Sequence, residues 1–150
     1  MGYFIKIGLG MTKIKIKRVY EDPSDTDGYR VLVDRLWPRG MKKEHLKYDY
    51  WAKELTPSSD LRKWFHDDVP GHWKEFAEMY RKELETSDKT SEFLSRIRSC
   101  ESVTLLYASK EPVYNHTRIL QAFLEERLKK GFLGETYANT NLFFFFVIFF

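Results

Sequence analysis

The stretch Arg30-Val-Leu-Val-Asp-Arg-Leu-Trp-Pro-Arg-Gly40 decides how this chain is read. Three consecutive apolar residues, Val31 to Val33, carry the signature of a strand covered on both faces, because a half-exposed strand alternates apolar and polar positions. Arg30, Asp34, Arg35 and Arg39 crowd the ends of that run, and a Pro-Arg-Gly turn closes it. Buried charge is costly unless paired. Guanidinium groups around the end of a buried strand therefore point to an internal carboxylate or to a bound anion.

Outward from this strand (29–36), the other elements follow by pattern. Residues 13–20 alternate lysine with isoleucine, which suits an edge strand whose lysines discourage pairing with other chains. Glu21 to Gly28 is an acidic turn. Met41 to Thr56 reads as a loop with a short helix. Ser58-Ser59-Asp60 starts a helix carrying Leu61, Trp64 and Phe65. Trp73, Phe76, Ala77, Tyr80 and Leu84 share one face of the next helix. Residues 89–99 form a third, with Phe93, Leu94 and Ile97 inward. Val103 to Ala108 is a second buried strand, and a long helix spans 112–130, with Pro112 in its first turn and Gly131 at its end. Strands separated by helices predict a single α/β domain, a small mostly parallel sheet flanked by helices in a three-layer sandwich.

Composition sets bounds. The 150 residues suffice for one domain with a full core. Aromatic residues at 17% and charged residues at 31% exclude a disordered chain. A net charge of +3 permits an anionic ligand without arguing for general nucleic-acid affinity. The one cysteine, Cys100, excludes an internal disulfide and a cysteine-cluster metal site, which suits a cytoplasmic location. It falls seven residues after Phe93 and is expected in the core. Met11-Thr-Lys-Ile-Lys has the form of a protein start, so residues 1–10 are read as an N-terminal extension, 11–130 as the domain, and 131–150 as a Phe-rich tail outside the fold. The apolar run Leu142 to Phe150 has nine residues, where a membrane-spanning helix needs about 20. No membrane association is expected.

The second strand leads into Ser109-Lys110-Glu111-Pro112-Val113-Tyr114-Asn115-His116 and then a helix. Open α/β sheets bind ligands beyond the carboxyl ends of their strands, where the start of a helix offers free N–H groups and a positive dipole end. His116 precedes Leu120 by four and Phe123 by seven, so it lies on the core-facing stripe and points towards the sheet. If the two buried strands are neighbours, Arg35 and Arg39 share a cleft with Ser109, Lys110, Asn115 and His116.

Together, Arg30 to Gly40, Leu61-Arg-Lys-Trp-Phe-His66, Leu105-Leu-Tyr-Ala-Ser-Lys110 and Asn115-His116 resemble the YeaO-like group of the bacterial domain-of-unknown-function 488 family, over roughly residues 12–129. The resemblance implies a small cytoplasmic α/β protein. It attaches no reaction, and no role to any residue.

The residues themselves suggest roles. Arg35 and Arg39 would grip a phosphate or carboxylate, Ser109 and Asn115 would orient it, and Lys110 would contact it or remain solvated. His116 beside cationic groups would be neutral and able to transfer a proton; the competing role is a structural histidine bonded to backbone. Trp37 either packs internally or offers a stacking platform. His66 either reaches the cleft or complements a helix end. Arg30 and Asp34 would otherwise form an internal ion pair. Ser109 lacks a Gly-x-Ser-x-Gly elbow, which disfavours a nucleophile. His66-Asp67-Asp68 with His72 lacks the His-x-x-x-His pairing, so no metal site is expected. No Gly-rich phosphate loop or dinucleotide fingerprint calls for a cofactor. The leading expectation is a cleft for a nucleotide or phosphorylated metabolite, with hydrolysis or group transfer as the reaction class. The alternative is a non-catalytic module binding nucleic acid or protein through Arg39, Lys42, Lys43, Lys47 and nearby aromatics. Whether the chain is an enzyme stays open at this point.

Overall fold

Strand β4 (Ser102–Tyr107) supplies the centre of the molecule, pairing with β1 (Lys13–Arg18) on one side and β2 (Tyr29–Leu32) on the other. The structure, a computed structural model, describes residues 10–131. A two-residue strand β3 (Tyr50–Trp51) extends the sheet beyond β2, giving the order β1-β4-β2-β3 with every pair parallel. After β3 come a single 3₁₀ turn (Lys53–Leu55) and helices α1 (Ser59–Asp67), α2 (Val69–Thr86) and α3 (Asp88–Ile97). Helix α4 (116–131) follows β4. This is a single-domain α/β fold, and the lysine-rich β1 is an edge strand as the alternation predicts.

Successive strand residues point to opposite faces of a sheet, and the apolar core divides accordingly. Val31, Val33, Val103 and Leu105 face one side, where they meet Phe65 of α1, Phe76 and Tyr80 of α2, Phe93 and Ile97 of α3, and Leu120, Phe123 and Leu124 of α4. Leu32 and Leu106 face the other, where Val19, Leu46 and the half-buried Trp37, Met41 and Trp51 cover them. All the buried apolar residues of the helices belong to the first cluster. The three layers are thus helices, sheet, and a layer of irregular chain.

Local signals explain the helix boundaries. The Ser58 side chain accepts the N–H of Leu61 and starts α1. Asp68 ends α1 and caps α2 by accepting from Gly71, with Pro70 in the first turn. The long last helix begins at 116 rather than 112, because Asn115 caps it through Oδ1 to the Thr117 N–H (2.9 Å). Ahead of it, the Glu111 carboxylate accepts from the N–H groups of Val113 and Tyr114, which holds Pro112 in a turn outside the helix. Strand β3 was not anticipated within 41–56. Cys100 lies beyond the end of α3, half-buried against the core, and burial pushes its thiol up.

Arg30 forms the internal ion pair considered for it, but with Asp27 of the acidic turn rather than Asp34. Its Nε donates to the Lys47 carbonyl (2.7 Å), and Asp27 also holds Lys17 (3.2 Å). Burial alone would raise the Asp27 carboxyl; the Ser24 N–H, Lys17 and Arg30 outweigh it and hold the group below its ordinary range. Gly28, at φ +64°, brings this turn against β4 so closely that a Cβ would collide with the Ser102 carbonyl. Among the described residues, no helix is long and apolar enough to cross a membrane. The expected extension (1–10) lies outside the described residues except for Gly10, and the expected tail (131–150) except for Gly131.

Candidate functional site

Beyond the carboxyl ends of β2 and β4 opens a cleft of about 490 Å³. The chain after β2 supplies Asp34 to Arg39, the chain after β4 supplies Ala108 and Ser109, and the approach to α4 supplies Tyr114, Asn115 and His116. Helix α1 contributes Arg62, Phe65 and His66 from the opposite wall, with Phe76 of α2 at its back. Arg35, Trp37, Arg39, His66, Ser109, Asn115 and His116 are thereby brought together. Lys110 is exposed and outside the lining.

Asp34 and His116 form the floor. One Asp34 carboxylate oxygen accepts the Ala108 N–H (2.8 Å), tying the ends of β2 and β4 together, while its main-chain oxygen accepts from the Trp51 indole (2.7 Å). His116 Nε2 lies 2.8 Å from the Val33 carbonyl oxygen and 4.0 Å from the second Asp34 carboxylate oxygen. A carbonyl can only accept, so in the neutral ring the proton sits on Nε2. Burial pushes the imidazole below its ordinary pKa, and Arg62 adds to this; the Val33 carbonyl and Asp34 oppose it without prevailing. Burial also raises Asp34, against the pull of His116, the Ala108 N–H and Arg62. The two groups are thus driven in opposite directions, each towards its uncharged form.

Several expected contacts are already spoken for. Asn115 is buried, and both ends of its amide serve the start of α4: Oδ1 accepts from Thr117 and Nδ2 donates to the Glu111 carbonyl (3.3 Å). Ser109 Oγ accepts the Glu111 N–H (3.1 Å) in the same turn, though its hydroxyl proton is not used there. Trp37 is fixed by an indole bond to the Met41 carbonyl (2.6 Å) and by edge contacts with Trp51 and Tyr48. His72 bonds Trp64 and stacks on its ring. No group of histidine, cysteine or carboxylate side chains that could hold a metal occurs among the described residues.

The guanidiniums are differently placed. Arg35 makes one long contact, 3.5 Å to the Pro57 carbonyl. Arg39 anchors its loop through its main-chain oxygen, which accepts from the Tyr20 hydroxyl (2.8 Å). The guanidiniums of Arg39 and Arg62 have no hydrogen-bond or ion-pair partner among the described residues. Arg62 was missed from the sequence. Its signal is the spacing to His66, four residues on and hence on the same side of α1.

The family model described as the inactive DUF488-N3 subclade matches residues 13–140. The chain belongs to the DUF488 family. It is similar to the uncharacterized protein YeaO of Escherichia coli K12, 45% identical over 111 residues that cover 74% of this chain and 96% of the relative. The uncharacterized protein Rv3073c of Mycobacterium tuberculosis H37Rv is 37% identical over 116 residues, covering 77% of this chain and 97% of the relative. Mb3100c of Mycobacterium bovis matches to the same extent. No solved structure is significantly similar. In this DUF488 domain the cleft combines spare cationic donors at its mouth, one engaged carboxylate at its floor, and aromatic walls from Phe65, Phe76 and Tyr114.

Proposed function

We propose that the cleft binds a small nucleotide-like anion and holds it without turning it over. The observation that carries this reading is the convergence of Arg35, Arg39 and Arg62 on one cavity whose single carboxylate, Asp34, is already bonded to the Ala108 N–H. Arginine forks match phosphate oxygens, and the neighbouring rings would receive the base. Description of the matching family as an inactive subclade supports the part of this reading that leaves out turnover.

The test is a thermal-shift and calorimetric screen of the full chain against phosphate, sugar phosphates and nucleoside monophosphates. A ligand at about 100 times its Kd should add about 2.7 kcal/mol of stability. Arg39→Ala and Arg62→Ala should each abolish the shift while leaving the unliganded melting temperature in place. Stabilisation that survives both substitutions, or silence across the panel, would remove the assignment.

A second reading, hydrolysis or group transfer, draws on the opposed shifts of His116 and Asp34, a pattern that separates acid from base in active sites. Turnover of the bound ligand that disappears in His116→Ala would replace the binding-only reading with this one.

A further inference from the structure

We infer that the nucleotide taken by the cleft belongs to a single-stranded nucleic acid, whose neighbouring phosphates lie along the basic chain that leaves the cleft between Arg39 and Lys47. This rests on the reading of the cleft as a nucleotide site. From the Arg39 mouth, residues 40–47 cover the sheet face opposite the helices, with Leu46 packed under Trp37 and Leu32. Lys47 ends this run beside Arg30, whose Nε bonds the Lys47 carbonyl at the start of β2. The segment thus runs the length of the strand, from one end of the sheet to the other. At about 3.3 Å per residue the strand spans about 13 Å, and a stacked strand carries a phosphate every 3.4 Å or so, so the track meets several.

Its chemistry is one-sided. Arg39, Lys42, Lys43 and Lys47 are exposed, with Glu44 the one carboxylate among them. None of these cations has a side-chain hydrogen-bond or ion-pair partner among the described residues, in contrast to Lys17, which is bound to Asp27 on the same face. Apolar groups stand where bases would pass: Leu36, 73% exposed at the rim of the cleft, and Tyr48, exposed and set against Trp37. Base stacking on such groups is tolerant of sequence. A base can enter the walled cleft only when unpaired, which selects a single strand over a duplex.

Fluorescence anisotropy of the full chain with a labelled thymidine oligonucleotide, run against salt, tests this alongside calorimetry with thymidine monophosphate. The oligonucleotide should bind about tenfold or more tightly than the monophosphate. Replacing Lys42, Lys43 and Lys47 together by alanine should erase that advantage and lower the log–log salt slope by about two, at about 0.7 per phosphate contact. Monophosphate affinity and melting temperature should not change, since all three side chains are exposed. An oligonucleotide that binds no more tightly than the monophosphate, a triple variant without effect, or a duplex bound equally well would overturn the inference while intact monophosphate binding left the cleft reading standing. Failure of both ligands would overturn both.

Discussion

His116 joins α4 to the sheet through one hydrogen bond, and its environment makes that joint sensitive to pH. Its folded-state pKa lies below the ordinary 6.5, so on acidification the unfolded chain takes up a proton first. Stability is therefore lost as pH falls through 6.5, until the folded protein also protonates. Asp34 acts with the opposite sign in a lower window: it is raised above 3.8, so its contribution is lost as pH rises from there. His116→Gln, which retains an N–H for the Val33 carbonyl, should flatten the fall in melting temperature between about pH 7.5 and pH 5.5. Parallel curves for the two proteins would show that His116 does not drive it. The position of His116 could be read from its spacing to Leu120 and Phe123, because a helical stripe fixes direction. The use of Asn115 could not: its amide suits a ligand or a helix cap equally, and only the true start of α4 shows that the cap takes both of its ends.

Two turns have glycine in the left-handed region for different reasons. Gly40, at φ +72°, has open space around it, whereas Gly28, at φ +64°, sits against the Ser102 main chain. Gly40→Ala meets only backbone strain, about 1–2 kcal/mol. Gly28→Ala adds a collision with a carbonyl of the central strand, where neither partner is a flexible side-chain tip. Urea denaturation should show Gly28→Ala to be much the more damaging, with β2 and β4 driven apart; equal losses would contradict the close approach. The elements themselves were legible to different degrees. Amphipathic spacing reveals α2 and α3, and continuous apolar runs reveal β2 and β4. Strand β3 has two residues, fewer than any periodicity needs, and it exists because β2 presents an unpaired edge to Tyr50 and Trp51.

At the scale of the molecule, the sequence shows that β2 is covered on both faces but not by what. Residues 37–47 look like an ordinary polar loop, and only Trp37, Met41 and Leu46 betray that this loop is a layer of the protein. Helices on one side and irregular chain on the other should give uneven local stability. Hydrogen exchange should be slowest in β4, flanked by strands on both sides, and fast along 37–47, where few main-chain bonds exist to protect amides. Equal protection on the two sides would mean that the irregular layer is as cooperative as the helical one. The strand order has a consequence for how the protein is made. Strand β1 pairs with β4 alone, and Lys13 finds its partner Ser102 about ninety residues later. During synthesis the first strand leaves the ribosome long before there is a sheet to receive it. Lys13, Lys15 and Lys17 are then useful before the fold exists: their mutual repulsion keeps an orphan strand from joining its copies on neighbouring nascent chains until the last strand arrives, and it goes on guarding the open edge of β1 afterwards.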